Sequence, residues 1–179
     1  RVRQAIEYAI DKDALCSAVM YGYATPVSSL VGPGVFGYDA APTANLYDVE
    51  KAKSLLSEAG YADGFEMSIW VQSSDQIRQE ACVIIQSMLE EVGITVTVEP
   101  MDGTVMDDTI VKGGDFAACS SMYYNLMGDA DYVLYSNISP ESTSNLSHYS
   151  SEAAMEKLLA ARSLTDDAAR AAVYAEISA

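Results

Sequence analysis

Basic residues are scarce in this chain: ten Lys and Arg stand against 26 Asp and Glu, a formal net charge of −16. That sign repels phosphate backbones and anionic bilayer faces, which argues against nucleic acid as a partner. Histidine is scarcer still, with His148 alone in a Ser-rich stretch. Serine–histidine–acid and cysteine–histidine chemistry both need an imidazole to take a proton, and one loop histidine reads as an exposed or capping residue rather than a base. The three cysteines, Cys16, Cys82 and Cys119, are widely spaced and form no CxxC. Neither a zinc knuckle nor a disulfide framework is suggested, and each is expected to behave as a small buried hydrophobe. A Cys16–Cys82 or Cys82–Cys119 bridge stays open at this level, because sequence does not fix Cα separation. No apolar run is long enough to cross a bilayer, and no basic-then-apolar signal segment is present. The first residue is Arg1 rather than Met, so the chain reads as a piece of a longer protein.

What is abundant is core-forming material. Half of the 179 residues are hydrophobic, enough for one substantial core, and the length favours one domain. Residues 1 to 22 read as helix in two parts: Ile6, Ala9 and Ile10 share a face, Asp11 caps a second segment carrying Leu15, Val19 and Met20, and Gly22 ends it. From Tyr23 to Leu46 the pattern is broken by Thr25-Pro26, Gly32-Pro33-Gly34, Gly37 and Pro42. An irregular stretch of that length is expected to be functional or pinned to another part of the protein. Its glycines are not a phosphate loop, since no Lys and Ser/Thr follow and no strand-to-helix junction is made.

Asp48 sits at an N-cap position, Ala52, Leu55, Leu56 and Ala59 share a face, and Gly60 stands at C′, a helix with both its start and its stop. Residues 65 to 71 alternate as a strand. Asp75 caps a helix with an apolar stripe of Ile77, Ala81, Ile84, Ile85, Met88, Leu89 and Val92, ending at Gly93, and Ile94 to Glu99 alternate again. Strand, helix and strand in about 35 residues predict a parallel pair joined by a right-handed crossover. A short helix over residues 103 to 112, a third strand over 115 to 124, a mobile Ser- and Asn-rich loop from Ser136 to Ser151, and two tail helices, Ser151 to Ser163 and Asp166 to Ser178, complete the reading. Thr165 and its flanking acids open the last helix. The fold class is α/β, with βαβ units and helices on a mixed, largely parallel sheet.

The acidic clusters Asp107-Asp108, Asp129-Ala-Asp131 and Asp166-Asp167 lack the EF-hand spacing and its closing glutamate, so they read as helix caps and solvated faces rather than a cation site. No metal and no cofactor is expected. Met122 to Leu134 lies just past a predicted strand, where open α/β sheets place ligands. Tyr123 and Tyr124 suit a ligand wall or an edge pair, and Arg78 suits a ligand carboxylate or a solvated surface.

Two phrases, Arg3 to Lys12 (RQAIEYAIDK) and Tyr47 to Tyr61 (YDVEKAKSLLSEAGY), resemble R-Q-A-I-x-Y-A-I-D-[KR] and Y-D-P-E-K-A-K-x-L-L-x-E-A-G-Y of family 5 extracellular solute-binding proteins, the oligopeptide, dipeptide and nickel receptors of ABC importers. Val49 replaces the family's proline. The tail is similar too, with Tyr149, Ala161-Arg162, Thr165-Asp166, Arg170, Tyr174 and Glu176-Ile177 matching. The resemblance implies a type II periplasmic-binding-protein-like lobe, the C-terminal lobe of a larger two-lobed receptor. It also implies no enzyme activity, and as partners a small solute or peptide, the protein's own N-terminal lobe and membrane permease subunits. The location it implies is extracellular or periplasmic, with a lipoprotein anchor in the full-length protein. The family segment G-W-x-x-D-x-x-D-P, aligned on Asp129, puts Tyr123 at the tryptophan and Leu126 at the aspartate that meets a peptide's α-ammonium. The candidate substrate-binding residues are therefore Tyr123, Tyr124, Asn125, Leu126 and Asp129, with Arg78 added for its carboxylate-binding fork. The leucine makes room for other ligands, such as a nickel chelate, an opine or a sugar, or for a receptor repurposed for signalling or adhesion.

Overall fold

The computed structural model describes residues 1–39 and 46–178; Pro42 lies outside them. The chain packs as two compact units, residues 1–26 with 45–121 and residues 27–44 with 122–179. Each has its own apolar cluster, where composition suggests one core.

The first unit is the βαβ unit with helices around it. Val2–Ala9 (α1) and Lys12–Met20 (α2) are separated by Asp11, whose side chain accepts from the amides of Asp13 and Ala14. Val49–Glu58 (α3) starts at Asp48, which accepts from Lys51 N at 2.8 Å. It ends in a Schellman motif, with Tyr61 N donating to the Leu56 carbonyl and Gly60 N to that of Ser57. Phe65–Gln72 (β1), Gln76–Glu90 (α4) and Ile94–Met101 (β2) follow, with β1 and β2 parallel and Phe65 opposite Ile94. Gly103–Val111 (α5) leads to a third strand of two residues, Ala118–Cys119 (β3). The sheet order is β2-β1-β3, with every pairing parallel.

Ile69, Val71, Ile94 and Val96 fill the sheet's side of this core, Cys82 and Leu89 the α4 side. Ala5, Ala9 and Ala52 are fully buried, as small side chains allow where α1 lies against α3. The α4 stripe is narrower than periodicity predicts. Cys82 and Leu89 point inward while Ile77 is 53% exposed. The third strand is likewise shorter than its alternation predicts, since β1 pairs with it only at Ile69 and Trp70.

The second unit is helical: Ala130–Ile138 (α6), Glu152–Ala161 (α7) and Asp167–Ser178 (α8). Val31, Ala130, Val133, Leu134, Leu158, Ala161 and Tyr174 make its core. Sequence reading missed α6, although Asp129 caps it and Ala130, Val133, Leu134 and Ile138 have helical spacing. Of Thr165 and its flanking acids, Asp166 accepts a first-turn amide of α8, from Ala169 N at 2.7 Å. The segment expected to be a mobile loop is tied down. Residues 136–138 belong to α6, and the buried Asn145 donates to the carbonyls of Ser139 and Tyr149 at 3.2 and 2.7 Å.

Candidate functional site

The run from Met122 to Gly128 precedes α6 and belongs to the second unit. Its far end is fixed by the backbone: Phe36 N donates to the Gly128 carbonyl and Ala130 N to that of Phe36, both at 2.9 Å. Asp129 then caps α6 through Oδ1, and its Oδ2 accepts from Arg170 Nη1 at 2.8 Å. The Arg170 guanidinium lies 4.3 Å from the Phe36 ring centre and 5.7 Å from that of Tyr174. In the first turn of α6, Asp131 receives a two-pronged bond from Arg162, at 2.9 and 3.0 Å. That fork raises the already high pKa of Arg162. Among the proposed site residues, Asp129 is therefore engaged inside its own unit.

Ahead of this anchored end three large side chains are left outward. Tyr124 is 62%, Leu126 71% and Met127 66% exposed. Tyr123 is half-buried and donates its hydroxyl proton to the Ser144 carbonyl at 3.0 Å. Asn125 reaches the Leu30 carbonyl at 3.5 Å, and its Oδ1 is buried with no hydrogen-bond partner among the described residues. The structure thus brings Tyr123, Tyr124, Asn125, Leu126 and Asp129 together on one segment.

Arg78 belongs to the other unit and is anchored there. It donates to Asp75 Oδ2 at 2.9 Å, to Gln72 Oε1 at 2.7 Å and to the Ser120 carbonyl at 3.2 Å. Asp75 also accepts from Arg78 N, and these bonds hold its carboxyl below the usual carboxylate range. The arginine that spacing offered as a carboxylate receptor here joins the end of β1, the start of α4 and the residue after β3.

All three cysteines are free. Ser120, just past β3, meets Cys82 of α4, while Cys119 of β3 feels Asp107 of α5, and neither the Cys16–Cys82 nor the Cys82–Cys119 bridge left open by sequence is formed. Burial pushes the thiols of Cys16, Cys82 and Cys119 up. His148 is exposed, with φ 50 in a turn closed by its own N–H to the Asn145 carbonyl. Among the described residues, no group of three His, Cys, Asp or Glu could hold a metal ion, and no helix is long and apolar enough to cross a membrane.

Comparison with known proteins decides what this scaffold is. The sequence profile of the bacterial extracellular solute-binding proteins, family 5 Middle, matches residues 1–145. The chain belongs to family 5. The glutathione-binding protein GsiB of Salmonella choleraesuis is 30% identical over 98% of this chain and 36% of its own length. The periplasmic binding protein DppA of Helicobacter pylori, solved with the peptide STSA, superposes with a TM-score of 0.89 at 28% identity, over 98% of this chain and 35% of that one. AgaA of A. tumefaciens R10, solved with agropinic acid, gives 0.84 at 29% identity, over 99% and 37%. The chain spans about a third of the length of the curated relatives it matches. These relatives are binding proteins rather than enzymes, and their fold is that of type II periplasmic binding proteins, as the sequence resemblance implies.

The family 5 phrases turn out to encode packing. The first builds α1, the second builds α3, and Asp48 N donates to the Tyr8 carbonyl at 2.8 Å where they meet. In the tail phrase, Arg162 and Arg170 hold Asp131 and Asp129, and Tyr174 is fully buried.

Proposed function

We propose that this chain is part of the substrate-binding component of an ABC importer, which captures an extracellular oligopeptide or dipeptide and delivers it to membrane permease subunits. The observation that carries this reading is the segment Met122–Met127 of a family 5 chain, anchored at its far end yet presenting Tyr124, Leu126 and Met127 to solvent. Apolar groups held outward without a core to enter are what a ligand-binding surface offers. Tyr123, Tyr124, Asn125, Leu126 and Asp129 form the proposed ligand-facing segment, with Asp129 shaping it through Arg170. Arg78, offered by its chemistry as a ligand contact, spends three donors inside its own unit.

The remaining ligand contacts come from the N-terminal lobe of a longer, two-lobed receptor, in keeping with the chain's share of its relatives' length. We place that receptor in the periplasm or outside the cell, held by a lipoprotein anchor. Such a protein does no chemistry on its ligand; closure around it follows from tighter binding in the closed state.

A second reading has its own support. Leu126 stands where the family resemblance puts the aspartate that meets an α-ammonium, and an unpaired ammonium in a closed site would be costly. A ligand without a free amine there fits the leucine, and AgaA shows that a relative of this fold binds agropinic acid. A thermal-shift screen of the receptor-length protein against dipeptides, tetrapeptides, glutathione, opines, oligosaccharides and nickel chelates separates the two. A raised midpoint with free peptides supports the first reading, one confined to non-peptide ligands the second, and no response from any of them sinks both.

A further inference from the structure

The second unit contains a cavity of about 320 Å³, at the small end of the size of small-molecule sites, about 300–1,000 Å³. Its lining is unusual for this chain. Charged residues are 20% of the sequence, yet among the described residues none lines the cavity. Leu134, Ile138 and Ile177 give it an aliphatic side, and hydroxyls from Ser, Tyr and the amide of Asn137 give it a polar one.

Three of the six lining hydroxyls spend their protons within the unit. Tyr123 donates to the Ser144 carbonyl at 3.0 Å, Ser178 to the Tyr174 carbonyl at 2.9 Å and Ser147 to Asn145 Oδ1 at 3.1 Å. The Asn137 amide nitrogen donates to the Val133 carbonyl at 2.8 Å. A hydroxyl that has donated its proton keeps lone pairs, so these groups meet an incoming molecule mainly as acceptors. Ser29 is the counterexample: its Oγ accepts from Val31 N at 3.0 Å, which leaves its O–H to donate. A carboxylate would face lone pairs with no cation in the lining. An ammonium would find no carboxylate and would lose its hydration for neutral acceptors alone.

We propose that this cavity binds an uncharged group rich in N–H or O–H donors with one apolar edge, and that it serves as the pocket for the neutral part of the solute. The proposal rests on the solute-receptor reading above and narrows it to a ligand class. Amide N–H groups of a peptide interior and hydroxyls of a sugar share this chemistry, and two probes tell them apart. The test is a ¹H–¹⁵N NMR titration of the 179-residue chain with N-acetyl-alanyl-alanine amide, with methyl β-glucopyranoside, and with zwitterionic alanyl-alanine as the charged control. Shifts at the amides of Ser29, Asn137, Ser147 and Tyr149 with either neutral probe, and affinity about tenfold lower for the charged dipeptide, are the expected result. Which neutral probe binds identifies the source of the donors. Tyr123→Phe should weaken that probe several-fold, and Leu30→Trp, filling the rim, should abolish the shifts while the rest of the spectrum stays folded. Silence from both neutral probes overturns the proposal, as do shifts confined to other residues or equal affinity for the charged dipeptide. A peptide response in the receptor-length screen combined with no cavity shifts would sink this inference alone and leave the receptor reading standing.

Discussion

A single guanidinium joins three segments of the first unit: Arg78 links Gln72 at the end of β1, Asp75 at the cap of α4 and the backbone of Ser120. Removing it leaves Asp75 and Gln72 without their charged donor, so Arg78→Ala should lower the urea midpoint, with Arg78→Lys in between because an ammonium cannot reproduce the fork. If Arg78→Ala unfolds at the wild-type midpoint, the bracing role fails. The lowered Asp75 pKa sets a direction with pH. The folded state favours the ionised carboxylate, so its stabilisation is present above the ordinary aspartate value of about 3.9 and lost as pH falls through the depressed folded value. Asp75→Asn should flatten the acid limb of the stability curve in that window and leave the curve's slope near neutrality alone. The thiols give another residue-scale expectation. Cys82 is 1% exposed with its pKa raised, whereas Cys16 is only half-buried. Cys16 should react first with a disulfide reagent at neutral pH and Cys82 only on unfolding, and prompt labelling of Cys82 in the native protein would contradict this.

At the scale of elements, two glycines separate backbone strain from steric contact. Gly60 closes α3 with φ 88 and open space where a Cβ would stand, while Gly64 has φ 77 and a Cβ there would lie 1.8 Å from the Gly93 carbonyl oxygen. Gly60→Ala should therefore cost about 1 kcal/mol, the left-handed penalty alone. Gly64→Ala should cost more than ~2 kcal/mol, because the turns leading into β1 and β2 must also move apart. Equal midpoints for the two variants in chemical denaturation would refute this ordering. Elements with complete local signals were legible in sequence. Asp48, the apolar face of α3 and Gly60 specify that helix without tertiary help. The βαβ unit was legible for a related reason, since Asp75 and Gly93 bracket α4 between two alternating runs. The third strand and α6 were not. Residues 115–124 alternate well enough to pass for a long strand, but a strand exists only as far as a neighbour pairs with it, and β1 offers partners only at Ile69 and Trp70. The cap and spacing of α6 were present, hidden within a segment whose exposed aromatics and acids drew a functional reading.

At the scale of the molecule, two cores predict two patterns of protection. Leu56 is 1% exposed in the first unit, and Leu56→Ala should remove about 3 kcal/mol from it. Hydrogen exchange should then quicken across α3, β1 and α4. Leu158, fully buried in the second unit, should on truncation to alanine quicken exchange across α6, α7 and α8. Identical exchange maps for the two variants would show that the units unfold as one. The candidate site was partly legible at this scale. The run Tyr123 to Asp129 was singled out from its place after a predicted strand and from its family resemblance, and it does present Tyr124 and Leu126 outward. Arg170, which holds its end through Asp129, comes from 41 residues away in the chain, and Arg162, which holds Asp131 just beyond it, from 31, pairings no local pattern announces.

Sequence by itself determined the family, the parallel βαβ unit, the helices with their own caps and the uncharged, acid-poor character of the Met122–Met127 run, because each depends on residues a few positions apart. Tertiary structure decided which polar groups are already taken. Arg78 read in sequence as a carboxylate receptor or a solvated charge and Asp129 as a helix cap or solvated acid, yet Arg78 holds the end of β1 to α4 and Asp129, besides capping α6, holds it to α8. The cavity beside Tyr123 belongs to the same class of fact: its described walls come from positions 28 to 178, and the lack of charge among those described residues exists only once they are folded together. A charge's role follows from the partner within reach, and reach across distant sequence is a property of the fold.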